Sequence, residues 1–481
     1  MNGDTSNFDQ NTKIVATIGP ASNSFDTLLK LAKEGVDVFR LNFSHGSHEE
    51  HKQTIEKINQ INEDHIYHVG ILADLQGPKL RVGEMAGKGL TVNPGDVITF
   101  VSEKCVGTKE KIYMSYKQFA QDVNVGEKVL VDDGKLEFEV ISTDQKSKVQ
   151  LKCLFGGTLK SNKGVNLPNT KISLPSLTEK DKNDLAFILT QPVNWIALSF
   201  VRSSRDIKNL KKKIKAAGHT AKVIAKIEKP EAIHKIDKII KATDAIMIAR
   251  GDLGIEVPIE RLPGLQKMII EKCIQKAKPV IVATQMMDSM ITNPTPTRAE
   301  VTDVANAVLD GVDAVMLSGE TSVGVHPVKV VKAMNSIIAE AEKDYPYNEI
   351  HKPVADPDSE TFLSDGICFN SGRIADEVGA KAILGLTVSG YTAFKVSSYR
   401  PRAKVFIFSS HEPILATLNL VWGVRSFYYD RFTTTDETIE DVVQILKDKK
   451  RVKKGDILIN TGSMPLQDRL RTNMLKVTEV K

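Results

Sequence analysis

Apolar positions along the first two thirds of the chain gather into short, nearly continuous runs. These are KIVATIGP (13–20), DVFRLNFSHG (37–46), VGILADLQGP (69–78), NWIALSFVR (194–202), KVIAKIEKP (222–230), DAIMIARGDLG (244–254), PVIVATQMM (279–287) and DAVMLSGETSVG (313–324). Each is close to continuously apolar and lacks strict alternation, which predicts strands buried on both faces. Most precede sequence of helical period, such as FDTLLKLAKEGV and EEHKQTIEKINQIN. Strand–helix units repeated in this way predict an α/β fold, a (β/α)8 TIM barrel.

One interval breaks the rhythm. About a hundred residues separate the third run from the fourth, far more than a barrel crossover needs. The interval carries short alternating segments, GLTVNPGDVITFV, EKVLVDDGKLEFEVI and KVQLKCLFGGTL, a pattern of an all-β unit. The expected organisation is a barrel of residues 1–76 and 176–350, with a small β-barrel inserted as a lid over 77–175. After the Pro- and acid-rich HKPVADPDSE, four strand candidates, AILGLTV, KVFIFSS, RSFYYD and DILINTG, predict a C-terminal open α/β domain over 355–481.

The length of 481 residues fits about three domains. A net charge of +5 is weak for this length. The densest basic cluster, Lys211, Lys212, Lys213 and Lys215, follows a helical pattern and reads as a solvated surface, so no nucleic-acid partner is expected. Cys105, Cys153, Cys273 and Cys368 are scattered without metal or disulfide spacing. The segment MNGDTSNFDQNT has no apolar core, and no apolar run approaches the roughly 18 residues of a membrane span. A cytoplasmic protein without a membrane partner is expected.

In a TIM barrel the reacting groups stand where strands finish. Here the strand ends carry Arg40, Asn42 and Ser44; Asp74 and Arg81; Ser199 and Arg202; Lys226 and Glu228; Arg250 and Asp252; Thr284; Ser318 and Glu320. A single Asn or Ser there is ordinary capping; the convergence of many charges on one face is not. Glu228 and Asp252, on adjacent strands, suit Mg²⁺ or Mn²⁺. Arg40 and Lys226 supply cations for phosphate oxygens. The Gly-Asp-Leu-Gly turn after Arg250 can present a helix N-terminus to an anion. Lys226 and Glu228 flank Ile227 and so project to one side of a strand. An anionic, metal-bound, phosphorylated substrate follows from these types.

The segments TIGPAS, RLNFSHG, AKIEKPEAI, IMIARGDLGIEVP, ATQMMDSMITNPTPTRAEVTDVANAV, DAVMLSGETSVG and YRPRA occur in one order from about residue 12 to 402. Together they resemble the pyruvate kinase family. The resemblance implies phosphoryl transfer from phosphoenolpyruvate to ADP, giving pyruvate and ATP, the last step of glycolysis. It makes Glu228 and Asp252 the Mg²⁺ or Mn²⁺ ligands, and Lys226 and Arg40 contacts of the transferring phosphoryl group. Ser199 joins them in the substrate site. Thr284 would contact the substrate carboxylate and help deliver a proton to the enolate through water, with the backbone of Gly251 and Asp252 holding that carboxylate. Asn42, His45, Arg81 and Lys163 match positions near the nucleotide. The family is usually a homotetramer.

Many family members need K⁺, held by ligands that resemble Asn42, Ser44, Asp74 and the carbonyl of Leu75. Those members read D-T-K-G-P-E-[IL]-R-T, whereas this chain reads DLQGPKLRV (74–82). The pattern resembles the K⁺-independent branch. Lys79 is expected to replace the monovalent ion, with Asp74 as a nearby counter-charge.

In LTVSGYTA, Thr387, Ser389, Gly390 and Thr392 resemble a loop that holds a phosphorylated effector; the same residues also suit plain helix capping. The stretch SMPLQDRLRTNMLKV after ILINTG departs from the fructose-1,6-bisphosphate-responsive pattern. Two rivals share parts of this description. A lyase or aldolase barrel would carry the carboxylate pair but neither extra domain. A silent metabolite sensor would lack one of the catalytic groups.

Overall fold

The computed structural model describes residues 10–65, 67–347, 357–431, 433–464 and 471–481. Parts of the segments MNGDTSNFDQNT, HKPVADPDSE and SMPLQDRLRTNMLKV lie outside them.

Eight parallel strands close into a barrel: Lys13–Thr17, Val38–Asn42, Gly70–Asp74, Trp195–Leu198, Lys222–Ile227, Ala245–Ala249, Val280–Ala283 and Ala314–Leu317. They follow chain order around the ring, and the eighth pairs with the first, Ala314 opposite Lys13. All fall within the predicted runs. Their continuous apolarity has a simple cause, because neighbouring residues of one strand enter different cores. Val15, Val38, Leu72, Trp195, Ile224, Met247 and Ile281 meet inside the barrel. Ile14, Phe39, Ile71, Ile196, Val223, Ile246 and Val280 pack against the surrounding helices.

Between the third and fourth barrel strands lies a unit built of strands with one short helix, Phe119–Asp122. Its strands form one six-stranded and one two-stranded sheet around a separate apolar core containing Phe100, Phe138, Leu151 and Val129. Register shifts in the Leu136–Thr143/Lys148–Phe155 pair bend the larger sheet. The hydrogen bonding is thus divided between two sheets, where the sequence predicts one small barrel.

The C-terminal region holds a five-stranded sheet in the order Val424–Tyr428, Lys404–Ser409, Ala382–Leu386, Ile457–Gly462, Met474–Glu479. The first four are parallel and match the predicted strands. The fifth is antiparallel, and sequence reading missed it. Met474–Glu479 is a half-exposed edge strand whose position depends on its partner Ile457–Gly462.

This region docks at the strand-start end of the barrel. Trp195 Nε1 donates to Thr417 O at 3.2 Å, Leu420 joins the interior barrel cluster, and Arg400 pairs with Asp313 at 2.9 Å. The opposite end, where strands finish, is left for chemistry.

The docking end also buries a charge. Lys13 Nζ donates to Val424 O at 2.8 Å and lies 3.3 Å from Asp37 Oδ1. Burial, reinforced by Arg425 and Lys404 and opposed by Asp37, pushes its ammonium down from 10.5 to about 7. Unfolded chains hold this proton up to the ordinary value. Between about 7 and 10.5 the unfolded state therefore binds more protons, and the Lys13 penalty eases as pH rises. Below that window the penalty is complete. Thermal melts across it are expected to show a rise in midpoint that flattens in Lys13→Met; an unchanged slope in the variant would assign the rise to other groups.

Candidate functional site

Strand ends of the barrel converge on one polar cluster. Arg40, the third residue of Val38–Asn42, points its Nε and Nη2 at Asp74 Oδ2, each 2.7 Å away. Its Nη1 donates to Thr17 Oγ1 at 2.9 Å. Lys226 Nζ lies 3.3 Å from Asp74 Oδ1 and 3.0 Å from Glu228 Oε1. It donates to Ser199 Oγ at 2.7 Å, and Ser199 donates in turn to Leu75 O at 2.8 Å. Lys226 and Glu228 thus share one side of their strand end. Glu228 Oε2 accepts the Phe200 N–H at 2.7 Å.

These charges are shielded from water: the Asp74 and Glu228 side chains are each 1% exposed. Burial pushes the Asp74 carboxyl up, but Lys226 and Arg40 outweigh it and hold the group below its ordinary value. Lys226 is the converse: burial opposes its charge, yet Asp74 and Glu228 raise its pKa above that of a free lysine. Glu228 is shifted up, first by burial and then by the charge of Asp252, against Lys226.

Asp252 stands in the first turn of the helix Arg250–Glu256, which begins directly where the sixth barrel strand stops. Two cations, Arg40 and Lys226, therefore face three carboxylates, Asp74, Glu228 and Asp252. A buried Glu228 whose pKa is raised by burial and by the neighbouring charge of Asp252 favours a bound cation. Among the described residues no group of three or more His, Cys, Asp or Glu is assembled around one metal position. A divalent ion with a pair of carboxylate ligands, completed by substrate and water oxygens, fits this donor set.

Beside this cluster, Thr284 follows the strand Val280–Ala283 with a φ of 71°, and Gln285 with 55°. A β-branched residue in that region is a genuine outlier, held there by its surroundings. The holders are visible. Thr284 Oγ1 accepts the Gly251 N–H at 2.7 Å and donates to Ala283 O at 2.5 Å. Arg250 Nη2 donates to Thr284 O at 2.9 Å while its Nη1 pairs with Asp303 at 2.7 Å. Glu320 accepts the N–H groups of Met287 and Ser318 at 3.2 and 2.6 Å, joining the seventh and eighth strand ends.

The remaining predicted residues are more dispersed. Asn42 Oδ1 accepts the Ser44 N–H at 3.1 Å, and His45 is exposed. Arg81 lies in the inserted unit, bridged by its backbone to Gly164, and its Nη1 donates to Asn162 O at 2.8 Å. This brings Arg81 beside Lys163, whose Nζ pairs with Asp132 at 2.8 Å. Arg202 reaches the carbonyls of Ile172 and Leu174, where the inserted unit returns to the barrel.

Lys79 is exposed, and the cations on Asp74 are Arg40 and Lys226. The counter-charge expected to serve Lys79 is thus engaged elsewhere, because strand-end residues reach Asp74 from either side while Lys79 sits beyond the Gly77–Pro78 turn. In the C-terminal region, Gly390 N–H donates to Thr387 Oγ1 at 3.0 Å, Tyr391 N–H to Ser389 Oγ at 3.4 Å, and Thr392 Oγ1 meets Thr472 Oγ1 at 2.6 Å.

Sequence reading missed two members of the site. Thr17 ends the first barrel strand and was open to the same strand-end logic. Phe200 contributes only a backbone N–H, presented by a φ of 53°, and an apolar side chain carries no signal of that.

Comparison with known proteins identifies the family. The family model "Pyruvate kinase, barrel domain" matches residues 9–331, and "Pyruvate kinase, alpha/beta domain" matches residues 365–478. A pyruvate kinase of Geobacillus stearothermophilus is 42% identical over 470 residues, covering 97% of this chain and 80% of that protein. One from Corynebacterium glutamicum is 42% identical over 471 residues, covering 98% and 97%. The crystal structure of a pyruvate kinase from Cryptosporidium parvum superposes with a TM-score of 0.92 at 33% identity, covering 99% of this chain and 97% of that one. With barrel, C-terminal sheet and near-complete coverage in agreement, the chain belongs to the pyruvate kinase family.

Proposed function

We propose that this enzyme transfers the phosphoryl group of phosphoenolpyruvate to ADP, giving ATP and the enolate of pyruvate, which is then protonated at carbon. The observation that carries the reading is the buried set Arg40–Asp74–Lys226–Glu228 at the strand ends. A transferring phosphoryl group spreads charge over its equatorial oxygens, and catalysis is mostly positioning and charge stabilisation. Asp74 holds Arg40 and Lys226 in place to meet those oxygens. The raised pKa of Lys226 keeps it an ammonium at neutral pH, so it acts as a fixed cation and not as a proton donor. Glu228 and Asp252 would hold Mg²⁺ or Mn²⁺, which would supply further positive charge to the reacting oxygens.

Thr284 is the group placed for proton delivery through water. Its hydroxyl accepts the Gly251 N–H, which sets it beside the turn at Gly251 and Asp252 whose backbone would hold the substrate carboxylate. Asn42 and His45 on the barrel face and Arg81 and Lys163 on the inserted unit form the two sides of an ADP site, and closing the unit excludes water. Barrel segments 1–76 and 176–350, lid 77–175 and C-terminal domain 355–481 are the working units of this reading. The loop at Thr387, Ser389, Gly390 and Thr392 is the candidate for a phosphorylated effector. A homotetramer is supported by exposed Phe362 and Leu363 and by the exposed edge strand Met474–Glu479. A cytoplasmic setting is supported by the four free cysteines.

The monovalent-ion reading keeps Lys79 as the substitute for K⁺ at the site framed by Asn42, Ser44 and Leu75, with Asp74 serving Arg40 and Lys226 instead of Lys79. Its exposed side chain on the lid hinge is available to a substrate phosphate. The test is pyruvate and ATP formation by purified protein, varying Mg²⁺ and K⁺ in turn. Turnover is expected to need the divalent ion and to persist when K⁺ is replaced by a large organic cation. In Lys79→Glu, removal of K⁺ is expected to lower turnover on the order of 10²-fold. A wild-type enzyme that stays idle without K⁺ would reject the Lys79 assignment.

A further inference from the structure

We propose that Asn166, Glu256 and Lys229 form a latch through which lid closure positions the two metal-ligand carboxylates; this rests on the phosphoryl-transfer reading above. Glu256 is the last residue of the helix Arg250–Glu256, one turn beyond Asp252 on the same face. Lys229 directly follows Glu228. Glu256 Oε1 accepts from Lys229 Nζ at 2.6 Å and from Asn166 Nδ2 at 3.0 Å. One oxygen atom thereby ties the neighbour of one carboxylate ligand to the helix that carries the other.

Asn166 comes from the inserted unit. It closes the strand Val165–Asn166, three residues after Lys163. The same edge of the unit meets the helix a second time, where the turn at Gly134 approaches Ile255. That turn includes Asp132, the partner of Lys163. The lid therefore touches the metal-bearing helix through the segments that hold its nucleotide lysine.

The chemistry suits a contact made and broken each cycle. Glu256 and Lys229 are each 5% exposed, and Glu256 Oε2 is buried without a hydrogen bond. Such a carboxylate is short of donors, so an added amide N–H is valuable to it. Asn166 is neutral, and its withdrawal leaves no second buried charge behind. Lid opening takes one donor from Glu256 and loosens its hold on the helix end. Closure restores that hold and fixes Asp252 relative to Glu228. Asn166, Glu256 and Lys229 are positioning residues, with no contact to the reacting atoms.

Asn166→Ala removes the lid's half of the contact and leaves the Lys229–Glu256 pair intact. Steady-state kinetics and Mn²⁺ titration by electron paramagnetic resonance, with and without ADP, are the readouts on the full-length protein. The variant is expected to keep the wild-type melting temperature and the wild-type Mn²⁺ affinity without nucleotide. Its KM for ADP is expected to rise on the order of tenfold, the loss of one hydrogen bond to a charged group. ADP is expected to tighten Mn²⁺ binding in the wild type and to lose that effect in the variant. Asn166→Asp, which sets a second carboxylate against Glu256, is expected to do the same more strongly. Wild-type KM and wild-type ADP–Mn²⁺ coupling in Asn166→Ala would overturn the latch while the activity stands. A wild-type protein that makes no ATP from phosphoenolpyruvate and ADP would overturn the underlying reading and the latch with it.

Discussion

Glu228→Gln is expected to abolish ATP formation and divalent-ion binding together. The carboxylate is 1% exposed and uses both oxygens, one near Lys226 at 3.0 Å and one accepting the Phe200 N–H at 2.7 Å. Glutamine has nearly the same shape but only one acceptor. If its oxygen faces Phe200, its NH₂ faces the Lys226 ammonium, donor against donor; the flipped amide confronts the Phe200 N–H instead. The anionic hard ligand is gone in both cases, and Asp252 alone remains to attract the ion. A turnover loss of about 10²–10³ or more is expected, comparable to removing a preorganised charge contact. Mn²⁺ titration should fail in parallel. Turnover and Mn²⁺ affinity both surviving the change would place the metal elsewhere.

Lys226→Met is expected to remove activity by a similar or larger factor and to destabilise the fold as well. Lys226 lies between Asp74 and Glu228, so its loss leaves Glu228 buried with a backbone N–H and no adjacent cation. Breaking a buried ion pair on one side costs about 3–5 kcal/mol. Asp74 keeps Arg40 at 2.7 Å, so the penalty falls mainly on Glu228. That residue's pKa is already raised by burial and by Asp252, and the substitution raises it further. A carboxyl whose folded pKa exceeds its unfolded value binds a proton more readily when folded, and stability then falls as pH rises through that range. Urea melts of the variant should show a larger deficit at mildly alkaline pH than at mildly acidic pH. An equal deficit at both would show that Glu228 does not carry the stress, and near-normal turnover would remove Lys226 from the phosphoryl site.

Much of the site was legible because the barrel simplifies the geometry. Once eight runs are read as parallel strands, Arg40, Asp74, Ser199, Lys226 and Thr284 must finish on one face, whatever the distances between them. The alternation in AKIEKP even placed Lys226 and Glu228 on one side, where they meet at 3.0 Å. The pairing of charges was not legible. Lys79 is nearer to Asp74 along the chain than Lys226 is, yet Lys226 and Arg40 take the carboxylate. Sequence distance says little once a closed sheet brings strands from far along the chain side by side. Backbone donors were hidden too, since the Phe200 N–H depends on a local φ that its side chain does not announce.

The apolar runs, their helical partners and the all-β interruption by themselves determined the barrel, the insertion and the C-terminal α/β unit. Periodicity is a local consequence of which faces are buried, and it survives in any single stretch of chain. Tertiary structure alone decided what depends on two distant segments meeting. It set the edge strand Met474–Glu479 against Ile457–Gly462, placed Leu420 against the barrel interior, and strained Thr284 under Arg250. It also brought Asn166 of the inserted unit to the carboxylate of Glu256. A hydrogen bond requires both partners at about 3 Å, and composition or period along the chain carries no information about that distance.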